Sequence, residues 1–490
     1  MHRLKSPEFG LILKSLVFLG LALGSLPSAN AKTVHVGDGQ GTIKIDSMNG
    51  LEAGDTVIIA KGAYSGGTFT NLNGITIVPE AKAVVFNGPV TIGHDNKITF
   101  DGLSPDKPQN PNQATDKSSL YGYTFSGFNG RGFVPIGNNQ NVTIQGVWFD
   151  NISGAVEAGG KIITYKGTPE TTLFYNLTMD TVKITGKTTL YSGTWEPPKS
   201  YWNVNIGMTL KNVLCVNDGT GNTIKVFGHS LYKMMADGWK ITGPTLNDTG
   251  DTGVFSIFGN VTLKNIYRNG GWGYLMRLYI VSLGEPTDSY VYNCVDVNSS
   301  NYGTIDSRVD PGSLALSDTT PLPIPLVGGN MHIYNVTSGD KRNFTHYITV
   351  LLVIGNMTDG KKQYVTDIKN CVAFDGTQGQ DHGKPGADHD ARGYLVQFNG
   401  LPGTVLNKSN NVDLNGPAPD SYFIDKDKFY PASGSPLIGK GVVLPQVTTD
   451  IYGQARGDTN DVGAVQHREK VSDTNKMGAG ANSAAPANPK

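Results

Sequence analysis

Charge imbalance, paired cysteines and long internal apolar runs are all missing from this sequence. Its 40 Lys and Arg stand against 41 Asp and Glu, a formal net charge of −1. No global field therefore draws the chain to nucleic acid or to an anionic bilayer, and attraction for a charged ligand has to be local. Only three cysteines occur, Cys215, Cys294 and Cys371. Their odd number and wide spacing imply no disulfide framework. The contexts KNVLCV, VYNCVDV and IKNCVAF place each in an apolar strand, where a thiol packs as a small hydrophobe. Beyond residue 31 no segment is apolar enough to span a membrane, and no long amphipathic helix can be traced. What the chain does have is turn formers, 63 glycines and 26 prolines, which favour many short strands.

The N-terminus is the exception. Arg3, Lys5 and Lys14 frame the start of the apolar run Leu16–Leu26, and Ala29-Asn30-Ala31 follows ahead of Lys32. A membrane helix needs about 20 apolar residues and this run is about half that, so residues 1–31 read as a signal peptide cut after Ala31. No cysteine follows to take a lipid anchor. The mature protein is then expected to be secreted or periplasmic, with residues 32–468 folded as one domain. Residues 469–490, rich in Ala, Asn, Pro, Gly and Lys, have little to bury and read as a disordered tail. The polar stretch 104–119 reads as a long loop, with a substrate-binding lip as its other reading.

Between these ends one phrase recurs: apolar, any, apolar, any, Asn or Gly, apolar, any, apolar. It occurs at 98–103, 142–149, 177–184, 208–215, 239–246, 261–268, 290–297, 331–336 and 366–374. Period-two alternation on either side of the Asn or Gly means two short strands with that residue at the bend. Asn and Gly tolerate the left-handed conformation such a bend requires. In a stacked coil the bend falls above itself, so Asn212, Asn265, Asn293, Asn335 and Asn370 should form an amide ladder, broken at Gly102, Gly146, Gly243 and Thr181. The interval between phrases varies from about 22 to about 44 residues, which suits a solenoid with loops of unequal length.

With this pattern the chain resembles the right-handed parallel β-helix proteins of the pectin-lyase-like group. The opening GLEAGDTVIIAKGAYSG (50–66) looks like that group's first coil, and SPLIGKG (435–441) with DIYGQARGDTNDVGAVQ (450–466) looks like its last. The resemblance covers roughly residues 33–467. It implies an all-β fold, a single-stranded right-handed parallel β-helix of about ten coils with three short strands each. It says less about activity, because the architecture hosts lyases, hydrolases, epimerases and non-catalytic adhesins.

If each phrase supplies the second and third strands of a coil, the first strand lies between phrases, at 223–229, 252–257, 273–278, 304–309, 346–350 and 393–398. Taking the apolar residues as inward leaves Lys225, Arg277, Asp306, Arg308 and Tyr347 facing outward, with His229 just past its strand. Arg277 and Arg308 are expected one rung apart and Lys225 about two rungs from Arg277. Outward cations on an exposed sheet also serve solubility, yet like charges stacked on adjacent rungs repel and call for a reason.

That reason is an acidic polysaccharide. In β-helix lyases and hydrolases the sugar chain lies across this sheet, so the resemblance implies the cleft is here. β-Elimination from a uronate needs the carboxylate neutralised and a base to take the adjacent proton. Arg277 and Arg308 suit the first task through their planar forks. The resemblance implies a Lys or Arg base, elsewhere a His or Tyr, which points to Lys225 or Lys233 with His229 or Tyr302 as partner. Trp272 and Tyr274, in the turn leading to Arg277, join Asp306 and Tyr347 as substrate contacts. A glycoside hydrolase on the same fold would instead need two facing carboxylates, and of the candidates Asp306, Asp310, Glu285, Asp237 and Asp251 only Asp306 falls cleanly on the outward face. A non-catalytic carbohydrate-binding or adhesion solenoid is the third reading. Asp381, Asp388 and Asp390 cluster in the loop 381–393, where alternating carboxylates fit Ca²⁺ although the spacing matches no established site. No other cofactor is implied. The expected partner is an acidic polysaccharide or oligosaccharide, without nucleic acid or a membrane span, and the chain is expected to act as a monomer.

Overall fold

A computed structural model describes residues 31–468 except 47–48, 104–119, 158–173, 187, 193–203, 217–225, 243–253, 272, 284–285, 300–302, 309–325, 341–350, 355–364, 375–394, 399–403, 415 and 426. The signal peptide and tail expected at the two ends, and the loop 104–119, lie outside those residues. Among the described residues there is no α-helix, and the one helical turn is Glu80–Lys82.

The chain is a parallel β-helix by its own strand pairing. Met276–Tyr279 starts one coil in a first sheet; Asp288–Val297 then bends once and serves a second sheet before the bend and a third after it. The next coil repeats the path. Met276–Tyr279 pairs in parallel with Ile305–Arg308, and Asp288–Val297 with Asn330–Gly339. Thirteen residues of Val204–Val216 and seventeen of Val226–Thr242 are single long strands for the same reason: they run through a bend without losing the ladder.

Each bend is one left-handed residue, and it re-phases the alternation so that apolar side chains face inward on both sides. Gly146, Thr181, Asn212, Asn265, Asn293, Asn335 and Asn370 all have positive φ, between 51° and 66°. One expected bend is misplaced. Asp237 pairs with Lys264 and Trp239 with Ile266, so the bend is Gly238 (φ 73°) rather than Gly243. The alternation Trp239, Ile241 reads equally well from either glycine. Gly102 has no positive φ, and its partner rung turns at Gly146.

The amide ladder exists in pieces. Asn293 Nδ2 donates to Asn265 Oδ1 at 3.3 Å and Asn370 Nδ2 to Asn335 Oδ1 at 3.3 Å. Where the rung below lacks an Asn, a neighbouring carboxylate accepts instead, Asp180 from Asn212 and Asp237 from Asn265, each at 2.7 Å. A second ladder, Asn73–Asn96–Asn141–Asn176, runs up the bend that enters the second sheet at 3.0–3.2 Å per step.

Inside the early coils the rings stack: Phe86 on Phe125 and Phe125 on Phe149 are each 5.1 Å apart and within 28° of parallel. Each such pair contributes about 0.5–1.5 kcal/mol beyond its buried area. Later coils are aliphatic, with Trp239 packed on Phe255 at 4.7 Å and its Nε1 donating to Leu210 O. The three cysteines are free and buried in this core, as expected. One ion pair also sits on the inward face: Arg268 forks onto both oxygens of Asp296 at 2.6 and 2.8 Å, and Thr304 donates to the same carboxylate.

The C-terminal segment is not a last coil. Its signature residues 435–466 leave the solenoid after Val412–Asp413 and lie along its side. Phe423, Phe429, Leu437, Ile451 and Val462 bury the outward apolar residues of the third sheet, Val295, Val297, Val372 and Phe374, while Leu444 and Val447 cover Tyr334 on the second. A run of GKG and DIYG turns looks alike in a terminal coil and in a strap, because both need the same turn chemistry.

Candidate functional site

On the first sheet the strand register sets two outward columns. One runs Phe227, Ser256, Arg277, Asp306, Val353, Gln397; the other runs His229, Phe258, Tyr279, Arg308. Both alternate with the inward residues Phe255, Met276 and Ile305 of the core. Arg277 is thus one rung from Asp306, and Arg308 stands beside Tyr279, two residues along from the position directly over Arg277. With about 4.8 Å between rungs and about 3.3 Å per residue, the two arginine backbones are about 8 Å apart on the diagonal.

Arg277 keeps 12% of its side chain accessible, and its Nε lies 3.2 Å from Asp306 Oδ2. Its guanidinium carbon is 6.0 Å from the centre of the Tyr279 ring. Asp306 itself is wholly buried and Tyr274 almost so. Both therefore sit beneath the surface that a sugar would touch, and Asp306 acts on Arg277. A carboxylate one rung away holds the Nε edge, so a ligand carboxylate meets the guanidinium at its Nη edge.

The register also assigns His229 to the Tyr279–Arg308 column. Lys233 falls in the irregularity between Ser230 and Met234, where the strand shifts against its neighbour. The first-sheet strand expected at 346–350 is instead Leu352–Ile354. Lys225, Trp272, Tyr302 and Tyr347 lie outside the described residues, as do the candidate metal ligands Asp381, Asp388 and Asp390. Among the described residues no group of three or more His, Cys, Asp or Glu is placed to hold a metal ion, and no helix is long and apolar enough to cross a membrane.

A second constellation lies on the outer face of the second sheet. Tyr290, His332, Asp367 and Asn407 form one column, and Tyr292, Tyr334, Lys369 and Ser409 the next. Tyr334 Oη donates to Asp367 Oδ2 at 2.9 Å and lies 3.0 Å from His332 Nδ1, while His332 Nε2 is 3.3 Å from Asp288 Oδ1. Lys369 Nζ reaches Asp367 Oδ2 at 2.8 Å. The amide of Asn330, with His332, holds the Asp288 carboxyl below its usual range, and burial pushes the Tyr334 phenol up. The sequence does carry a signal for this cluster. His332 and Asp367 each precede the bend Asn by three residues, and Tyr334 and Lys369 by one, so aligning the phrases on Asn335 and Asn370 already stacks them.

No protein-family model matches the chain, and comparison with curated proteins finds no match. Among solved structures, the crystal structure of pectate lyase Pel9A aligns over 86% of this chain and 90% of its own, at 12% identity and a TM-score of 0.38.

Proposed function

We propose that this β-helix binds an acidic polysaccharide across the outer face of its first sheet and cleaves it by β-elimination. The observation that carries the reading is the accessible Arg277 guanidinium, held at its Nε by buried Asp306, with Arg308 one rung on. Two guanidinium-bearing positions about 8 Å apart on a chain of net charge −1 form a local feature suited to a polymer that carries a carboxylate on its sugars. The fork binds the uronate carboxylate through parallel hydrogen bonds and withdraws charge as the adjacent proton leaves. A base drawn from Lys225, His229, Lys233 and Tyr302 takes that proton. A hydrolytic reading fits this face less well, because it needs two facing carboxylates and Asp306 is buried against Arg277.

The test incubates the purified chain with pectate, alginate, glucuronan and glycosaminoglycans, with and without Ca²⁺. The ultraviolet absorbance of the conjugated double bond left by elimination is followed. A rise on one of these polymers supports the reading. Reducing ends without absorbance would make the protein a hydrolase, and binding without either would make it a non-catalytic carbohydrate-binding solenoid.

A further inference from the structure

Hydrogen positions on the second sheet can be counted. Tyr334 has one phenolic proton and gives it to Asp367 Oδ2. The 3.0 Å contact between Tyr334 Oη and His332 Nδ1 then requires Nδ1 to carry the proton and donate. The other ring nitrogen, Nε2, faces Asp288 Oδ1 at 3.3 Å, and Nδ1 is 3.7 Å from Asp367 Oδ2. A neutral ring protonated at Nδ1 would turn its Nε2 lone pair toward a carboxylate. An imidazolium satisfies both contacts, and it also balances the charges: Asp288 and Asp367 against His332 and Lys369.

The groups that face this ring are few and named. The strand Asp288–Val297 brings Asp288, Tyr290 stacked on the imidazole at 4.9 Å, and Tyr292. The strand of His332 itself brings Asn330 and Tyr334, and the following rung brings Asp367 and Lys369. The fourth element is the C-terminal segment. Leu444 and Val447 bury Tyr334 and pack beside Tyr290 and Tyr292, and Gln446 hydrogen-bonds Tyr290. Residues Val442–Val447 carry no ionisable side chain, so protons act on this strap through the cluster beneath it.

We propose that Asp288, His332, Tyr334 and Asp367 form a proton-dependent latch that holds the C-terminal segment at Leu444–Val447 against the second sheet. The latch is closed while His332 is an imidazolium. When the ring loses its proton, Nε2 and Asp288 repel, the stacked Tyr290 is displaced with them, and the surface under Leu444 and Val447 is disturbed. A histidine that gains carboxylate partners on docking contributes hold at low pH and loses it as pH rises through the range where imidazole changes charge.

Hydrogen exchange of the full chain tests this, because the amides of Val442 and Val447 are bonded to Asn370 Oδ1 and Leu444 O in the docked state. Exchange is read at about pH 5.5 and about pH 8.5, either side of the imidazole range, and corrected for intrinsic chemistry. A peptide covering 442–447 is compared with one covering the core strand 56–59. Protection of the strap should fall about tenfold relative to the control at the higher pH, the size of one charge-assisted hydrogen bond. His332→Gln should show the loosened strap at both pH values. Asp288→Asn, at a half-exposed position that folding tolerates, should flatten the pH dependence. Equal relative protection at both pH values in the native chain overturns the proposal. So does a His332→Gln or Asp288→Asn variant that keeps the native pH dependence.

Discussion

Arg456 Nη2 donates to Asn293 Oδ1 at 3.0 Å, joining the C-terminal segment to a bend of the solenoid 163 residues earlier. The same guanidinium reaches Thr449 O, Gly463 O and Ala464 O at 3.0–3.2 Å, and burial lowers its pKa to about 10, which leaves it charged at neutral pH. It occupies the gap in the amide ladder between Asn293 and Asn335, whose own amide turns to Asp461 O and Gly463 O. One side chain thus closes both the ladder and the strap.

Replacing Arg456 by Met leaves four buried acceptors without their donor. The expected cost is about 3 kcal/mol or more, read as a lower denaturant midpoint. Arg456→Lys restores the charge without the fork and should recover only part of it.

Thr181 holds a β-branched side chain at φ 52°, where its rungs above use Asn212 and Asn265. A left-handed residue of this kind costs about 1–2 kcal/mol. Thr181→Asn should therefore stabilise the chain by about 1 kcal/mol. Thr181→Val should destabilise it, since Val keeps the branching and loses the hydroxyl that donates to Asp180 Oδ1.

Asp95 is buried beside the bend into the second sheet and takes hydrogen bonds from the amides of Leu72 and Gly93, yet burial raises its pKa to about 7. The folded value lies above the unfolded one, so the protonated form favours folding. The contribution is full below about pH 4 and is lost as pH climbs toward about 7. Denaturation of the native chain and of Asp95→Asn across that range should show the variant gaining on the native chain as pH rises.

Arg268 and Asp296 are a buried pair whose members depend on each other. Asp296→Ala should cost about 3–5 kcal/mol by stranding the guanidinium. The double variant Arg268→Met with Asp296→Leu should cost less than the two single changes together, which a double-mutant cycle on melting measures.

How far the sequence reached follows from where the coil marks itself. The bend between the second and third sheets carries a left-handed residue on every rung, so Asn212, Asn265, Asn293, Asn335, Asn370 and the inward cysteines could be placed from spacing alone. The passage into the first sheet has no such marker. Its loops differ in length from coil to coil, and the register that sets Asp306 over Arg277, and Arg308 over Tyr279, comes only from the ladder itself. The same limit hid the column Thr33, Thr56, Thr76, Thr99, Thr143, Thr178 and Thr209, one threonine per rung on the outer face of the second sheet. Phrase alignment stacks its last four, but the first three stand in strands the phrase does not include. The strap was hidden for another reason. Its residues bury the outward face of the third sheet, and Val295, Val297 and Phe374 read as one more apolar alternation until a covering element is seen.

The central claim is that Arg277 recognises the carboxylate of an acidic sugar polymer on the first sheet. Its most direct test is kcat/KM of native chain, Arg277→Lys and Arg277→Ala on the one polymer that the native chain cleaves, with melting followed in parallel. The account predicts a loss of about 10²–10³ for Arg277→Ala at unchanged melting, as for removing one preorganised donor to a developing charge, and a smaller loss for Arg277→Lys. Full activity in Arg277→Ala would contradict it.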